Sequence, residues 1–397
     1  MNSWDCFDTL VARRYHHSTS IFDEVGKMLS MPNFKELRIN AEGNGGGDID
    51  SIYQNLPNIS KEIEISVDID HCYPIVSNIN KVKDGDLIIS DMYYTAEVVE
   101  KILKKCGLTK KVKIIVTPDG KRKGWIWETI KTPINLHTGD NYKSDVKSAR
   151  KNGINSFHYT GSDFNEIEKH ISIDNFYLAC WMKYIRLSCP YNSPGEINYW
   201  EDQSNFNIPV LALASLELPD SKIAFTYRDS IYWKPIYDTL LGKESIRFDA
   251  SRKCYNSPST EYVNYAINQT KNCVVADLQG SGRSFFNFFK NSKEIYYLGG
   301  PIIKEDNVKS ISGANANAIE KHNCSNEGTL IDWNNGPVRL PTEHNAKLVE
   351  IQTKANQVAL SSLKHFMILK NIDNLRFLLK QMNNNFTHRT VSWVENH

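Results

Sequence analysis

No run of apolar residues in the chain is long enough to cross a bilayer as a helix, so no transmembrane span is expected. No basic opening followed by a short apolar core is present either, and no secretory signal is expected. The eight cysteines, at 6, 72, 106, 180, 189, 254, 273 and 324, contain no CxxC pair. Their scatter argues against a zinc site or a disulfide framework and for a reducing, cytoplasmic compartment. An excess of one charge is lacking too: 47 Lys and Arg stand against 46 Asp and Glu. That balance gives no reason to expect nucleic acid or an anionic membrane as a partner. No internal repeat is evident.

What remains is a chain of 397 residues, 41% apolar and 23% charged, a length that predicts two globular domains. From about 15 to 82 the texture is polar and helical ("STSIFDEVGKML", "NFKELRINAE", "DIDSIYQNL", "SKEIEISVDIDHCYPIVSNI"), with "GNGGGD" at 43–48 reading as a loop. From 86 onward strands and helices alternate. "DLIIS", "KVKIIVT", "INLHTGD" and "INSFHY" read as strands, and "TAEVVEKILKKCG", "GWIWETIK" and "SDVKSARKNG" as helices. This alternation predicts an α/β domain with a parallel sheet, whose chemistry gathers at the carboxyl ends of its strands.

The polar residues at those ends form a set. "SWDCFDTL" places Asp5 and Asp8 after a short first strand, and "LIIS" ends in Ser90 followed by Asp91. "VTPDGKRKGW" offers Lys121 and Lys123 ahead of a helix, and "HTGDNYKSDV" offers Asp140 and Asp145. A carboxylate can attack phosphorus, a hydroxyl and a lysine can hold phosphoryl oxygens, and an acidic pair can hold Mg²⁺, a hard cation that takes oxygen ligands.

Taken in order, "WDCFDTL", "IISDMY", a lysine before a helix and "GDNYKSD" resemble the haloacid dehalogenase (HAD)-like hydrolase superfamily over residues 1–165. The resemblance implies a Rossmannoid parallel sheet, with the helical stretch at about 15–82 as a cap insertion. It also implies Asp5 as nucleophile, Ser90 as the phosphate-binding hydroxyl and Lys123, ahead of Lys121, as the phosphate lysine. Asp5, Asp140 and Asp145 would form the metal site. One position departs from the pattern: the family's second Asp, the general acid, is replaced by Phe7. Asp8, one residue on, is the candidate proton donor. Its alternative is a turn or N-cap role, because one residue's shift along an extended chain turns a side chain away.

The second domain, 166–397, opens with the helical "YLACWMKYIRLSCPY" and then repeats strand, polar turn and helix. Its turns carry Arg228, Arg252 and the stretch "ADLQGSGRS", that is Asp277, Gly280, Ser281, Gly282, Arg283 and Ser284. Glycines, hydroxyls and a helix start suit an anion. The stretch resembles the phosphoribosyl-binding loop of type I phosphoribosyltransferases, with Ala276 in place of the first of two acids; the plain alternative is a tight strand-to-helix turn. Beyond 300, "SISGANANAIEKHNCSNEGT" reads as irregular, and "TEHNAKLVEIQTKANQVALSSLKHFMIL" and "DNLRFLLKQM" as packing helices.

These readings set the expectations. They are a Mg²⁺-dependent phosphohydrolase acting on a phosphorylated small molecule (a sugar phosphate or a nucleotide), fused to a second Rossmann-like domain that binds phosphate or a phosphoribosyl group. The alternatives are a phosphoribosyltransferase assisted by the first domain, or a catalytically idle binding protein.

Overall fold

The computed structural model describes residues 1–369 apart from 18, 46, 57, 291, 301, 315, 343 and 367, together with 377–379 and 382. The chain divides into two compact units: Met1–Lys169 with Leu187–Pro190, and His170–Arg186 with Tyr191–His397. Both are α/β units built on a five-stranded parallel sheet. No helix among the described residues is long and apolar enough to cross a membrane.

The first unit contains β1 (Ser3–Trp4), β2 (Val11–Arg13), β3 (Cys72–Pro74), β4 (Leu87–Asp91), β5 (Lys113–Thr117), β6 (His137–Gly139) and β7 (Ser156–His158). The sheet order is β5-β4-β1-β6-β7, with Ser3 in register with Leu87 on one side and His137 on the other. Both faces are covered, which is why "LIIS" reads as a continuous apolar run. Leu87 and Ile89 pack on Ile126, Trp127 and Ala149, while Ile88 faces Val98, Val99, Ile102 and Leu103. Those last four residues form the apolar stripe of helix Ala96–Lys105, which Thr95 caps through the Val98 amide.

The polar stretch between β1 and β4 is an insertion of helices, Ser20–Met28, Phe34–Gly45, Ile49–Gln54, Lys61–His71 and Val76–Ile79. Two features differ from the sequence reading. The helix runs through the first glycines of "GNGGGD" to Gly45, a terminal turn tolerating glycine at about 1 kcal/mol each. The insertion is also closed at its base by β2 and β3, which pair antiparallel with Arg13 opposite Cys72. Two buried ion pairs tie it together. Arg13 donates to both oxygens of Asp68, at 2.6 and 2.8 Å, and Arg38 to both oxygens of Glu64, at 2.6 and 3.0 Å.

The second unit contains β8 (Ile223–Tyr227), β9 (Ile246–Asp249), β10 (Val274–Gln279), β11 (Ile295–Gly299), β12 (Val308–Ala314), β13 (Leu330–Trp333) and β14 (Pro337–Arg339). Its sheet order is β12-β11-β10-β8-β9. The segment after 300 that reads as irregular in fact supplies edge strand β12 and helix Ala316–Lys321. Its Ser- and Gly-rich composition carries little strand propensity, and pairing with β11 overrides that. A helix spans Ala346–Leu363, capped by Asn345, whereas the expected helix over 373–382 lies mostly outside the described residues.

The buried pair at the base of the insertion gives a stability prediction. Asp68→Ala strands a buried guanidinium, and denaturant unfolding of the full chain should show a loss of about 3–5 kcal/mol. Asp70, 67% exposed and paired with Arg14, should cost under about 1 kcal/mol when changed to Ala. Equal losses for the two variants would refute this account of the pair.

Candidate active site

Strand β1 is only two residues long, and Asp5 follows it directly, its amide donating to the Thr138 carbonyl at 2.8 Å. That bond places Asp5 beside the end of β6, from which Gly139 and Asp140 leave the sheet. Asp145 returns to the same point through a wide helical turn, Tyr142–Ser148, whose start Asn141 caps. A Cβ on Gly139 would lie 2.4 Å from Asp145 Cγ, so only glycine lets that carboxylate lie against the strand end. Asp5, Asp140 and Asp145 each present an oxygen within 4.8 Å of the other two.

Lys121 is the cation of this cluster. Its Nζ donates to Asp5 Oδ1 and, at 2.5 Å, to Asp145 Oδ1, and the side chain is 2% exposed. Three hydrogen bonds to Asp91 prepare the turn that carries it: from Thr117 Oγ1 at 3.1 Å, the Lys121 amide at 2.8 Å and the Arg122 amide at 2.9 Å. On the other side Ser148 Oγ donates to the Lys121 carbonyl at 2.6 Å. Lys121 lies in a separate short helix, Gly120–Lys123, which ends at Gly124 just ahead of the helix read from "GWIWETIK", observed over Trp125–Thr129. This corrects the lysine assignment. Lys123 lies outside the cluster, 64% exposed and paired with Asp119 at 3.1 Å.

Asp145 is fully engaged. Besides Lys121, its Oδ1 accepts from His137 Nε2 at 3.1 Å, and its Oδ2 accepts from the Asn141 amide at 3.0 Å and Ser144 Oγ at 3.4 Å. His137 is buried and its Nδ1 meets Ser3 Oγ at 2.8 Å. Because a carboxylate only accepts, the network assigns the His137 proton to Nε2 and makes Ser3 the donor to Nδ1.

One ammonium among three carboxylates leaves negative charge unmatched. Burial, with the charges of Asp145 and Asp140, pushes Asp5 well above the usual carboxylate range despite Lys121. Burial and the charge of Asp8 push Asp140 up to about 6. Asp145 goes the other way: burial would raise it, but Lys121 and His137 hold it at about 2.

The other expected residues fall as follows. Ser90 is buried at the end of β4, in register with Val116. Asp8 does not continue an extended chain: its φ is +54°, a left-handed conformation that Asp tolerates, and its amide donates to the Val11 carbonyl at 2.7 Å. The positive φ and this bond put Asp8 in a turn, the alternative role that its sequence position offered. Phe7 is committed elsewhere, its ring 4.1 Å beneath the Arg13 guanidinium. Asp91, His137 and Ser3 are what sequence reasoning missed or left without a role, and Lys121 is the lysine it placed second. The available signals were the acid following Ser90 and the histidine two residues before Gly139.

In the second unit, the expected residues after β8, β9 and β10 line one cavity of about 540 Å³: Arg228, Arg252, Asp277, Gly280, Ser281, Gly282 and Ser284. Arg283 is not part of its lining. Thr226 Oγ1 donates to Asp277 Oδ1 at 2.5 Å, and burial raises Asp277 to about 7. Gly282 has φ +82°, and a Cβ there would meet Val308 Cγ1 at 2.6 Å. Ala276, where the phosphoribosyl resemblance asks for an acid, is completely buried.

The charge imbalance predicts a pH effect. Asp140 has a folded value near 6 against an ordinary 3.8, so the stability it contributes is present below the ordinary value and lost as pH rises through 6. Asp145 adds no slope in that window, because its contribution disappears only as pH falls toward 2. With chelator present, the Tm of the wild type should fall between pH 4.5 and 7. Asp5, also raised, adds to the fall in the same direction, so Asp140→Asn should remove part of it and be more stable at pH 7 by about 2 kcal/mol. A variant with the wild-type slope would show that another group titrates.

No protein-family model and no curated protein matches the chain, so the reading of this site rests on its own geometry.

Proposed function

We propose that the first unit is a phosphohydrolase that acts on a phosphorylated small molecule, with Asp5 as nucleophile and a divalent cation, Mg²⁺ by preference, as its metal. The observation that carries this reading is the convergence of Asp5, Asp140 and Asp145 within 4.8 Å at adjacent strand ends, with buried Lys121 on two of them. The residues fit a hard cation on two counts. Their donor set is all oxygen, and their unmatched charge raises Asp5 and Asp140 in a way that a cation would relieve. Asp5 and Asp140 would hold it, since the Asp145 oxygens are already spent on Lys121, His137, Asn141 and Ser144. When bound, Mg²⁺ supplies positive charge for the phosphoryl oxygens.

The chain's own residues supply the rest. Lys121 fixes Asp5 through Oδ1, leaving Oδ2 to attack. The Asp5 oxygen–phosphorus bond forms, the bond from phosphorus to the leaving oxygen breaks, and that oxygen takes a proton. Water then splits the aspartyl-phosphate, releasing inorganic phosphate and restoring the carboxylate. Ser90 is the hydroxyl on offer for a phosphoryl oxygen. Asp8, the next acid along a chain that has spent position 7 on packing, is the proton donor.

That use of Phe7 favours a second reading, a unit that binds a phosphorylated ligand without turning it over. Hydrolysis of an aryl phosphate with and without Mg²⁺ decides between them. On the first reading turnover needs Mg²⁺, vanishes in Asp5→Asn, falls steeply in Lys121→Ala and stays within about twofold in Lys123→Ala. Asp8→Asn should slow alkyl phosphates by about 10²-fold or more and aryl phosphates far less, since only the poorer leaving group depends on the proton. Binding of phosphorylated metabolites with no turnover of any of them would establish the second reading.

A further inference from the structure

The cavity in the second unit lies where the sheet changes direction. The connection after β8 leads outward to β9 on one side, and the connection after β10 leads to β11 on the other. Adjacent parallel strands whose connections diverge leave a crevice beyond their carboxyl ends, the usual ligand position in open α/β sheets. Here Thr226 to Asp229 enter it from one strand, and Asp277 with Gln279 to Ser281 from the other. Its volume, about 540 Å³, lies within the range of small-molecule sites and exceeds what one inorganic anion fills.

The lining keeps hydrogen-bonding capacity unspent. The Tyr255 hydroxyl and the Gln279 side-chain oxygen lie sealed behind the lining without a partner, so the capacity open to a ligand sits on other groups. Asp277 uses one oxygen on Thr226 and the Leu278 amide, at 2.5 and 2.8 Å, and has no hydrogen bond to the other. Arg228 is taken by Asp229 and Thr329, at 2.7 and 2.9 Å. Among the described residues the side chains of Arg252 and Lys253 have no hydrogen bond or ion pair, and both line the cavity. Uncommitted groups of both kinds therefore line the same space. The cations call for an anionic oxygen, while the second Asp277 oxygen calls for a hydroxyl donor. A bare anion would meet the acids with nothing to give them, and a neutral sugar would leave the cations idle.

We propose that this cavity is a small-molecule site of the second unit, and that its ligand is a phosphorylated sugar, free or as the ribose phosphate of a nucleotide. Arg252 and Lys253 take the phosphate, and Asp277 takes a sugar hydroxyl. The site is independent of the carboxylate cluster in the first unit.

Calorimetry on the full chain carrying Asp5→Asn, with chelator present, tests this. Ribose 5-phosphate or glucose 6-phosphate should bind with one-to-one stoichiometry, and ribose and inorganic phosphate at least tenfold more weakly. Arg252→Ala, a change at an exposed residue, should weaken the sugar phosphate about tenfold or more, as expected for a charge-assisted hydrogen bond. Asp277→Asn, which keeps an oxygen for Thr226, should weaken it by a similar factor. Uridine monophosphate separates the two sources of the ligand: tighter binding than the sugar phosphates assigns a nucleotide, and equal or weaker binding assigns a free sugar phosphate. The proposal is overturned if none of these phosphates binds, or if inorganic phosphate alone binds as tightly as the sugar phosphates. It is also overturned if both variants keep the wild-type affinity within twofold.

Discussion

The candidate active site depends on one buried ammonium. Taking Lys121 out of water costs several kcal/mol, and only the two carboxylates that meet it offset the cost. Those carboxylates come from different places, Asp5 after β1 and Asp145 from the turn after β6, while Lys121 arrives from beyond β5. Satisfying the lysine therefore fixes three segments at once. The supporting groups follow the same logic: Asp91 and Ser148 hold the Lys121 backbone, and His137 and Asn141 occupy the Asp145 oxygens that remain. Asp140 lacks such compensation, and it is one of the two carboxylates whose affinity for a proton is raised.

How much of this was legible in the sequence depended on which physical rule governed each residue. Apolar runs such as "LIIS" and the amphipathic "TAEVVEKILKKCG" were readable because a parallel sheet buried on both faces demands that pattern. Asp5, Ser90, Asp140 and Asp145 were readable as polar residues interrupting those runs at strand ends. Lys121 was harder, because choosing between it and Lys123 needs the extra short helix Gly120–Lys123, too brief to show a period. Its turn is held by Asp91, some 30 residues earlier. Asp8 lies in a turn, the alternative role that its sequence position offered. Alternation holds for extended chain, and its left-handed φ breaks the alternation at that residue. Strand β12 was invisible for the opposite reason, since only its partner β11 makes it a strand.

Phe7 shows how the insertion and the site compete for one position. Its ring supports the Arg13 guanidinium, which holds Asp68 on helix Lys61–His71. Buried ion pairs contribute little net stability but are costly to break, so a change at position 7 would be felt first in the packing of the insertion. A carboxylate there would also sit within reach of Arg13 and compete with Asp68. The residue that most weakens the family resemblance is thus explained by local packing, independently of any chemistry at Asp5.

The two units meet the same geometric constraint in different ways. In each, a parallel sheet gathers polar side chains beyond its strand ends, where the helices do not cover them. In the first unit those groups are mostly spent on one another, and what remains unmatched is negative charge concentrated within 4.8 Å. Such a centre attracts a small, highly charged species. In the second unit the groups are spread around about 540 Å³, and what remains unspent is hydrogen-bonding capacity of both polarities. Such a cavity suits a larger ligand with both charge and hydroxyls. The contrast follows from where each chain places its cation. Lys121 is driven into the carboxylates from a helix that Asp91 caps, whereas Arg252 opens a short helix at the exposed end of β9 and keeps its charge free.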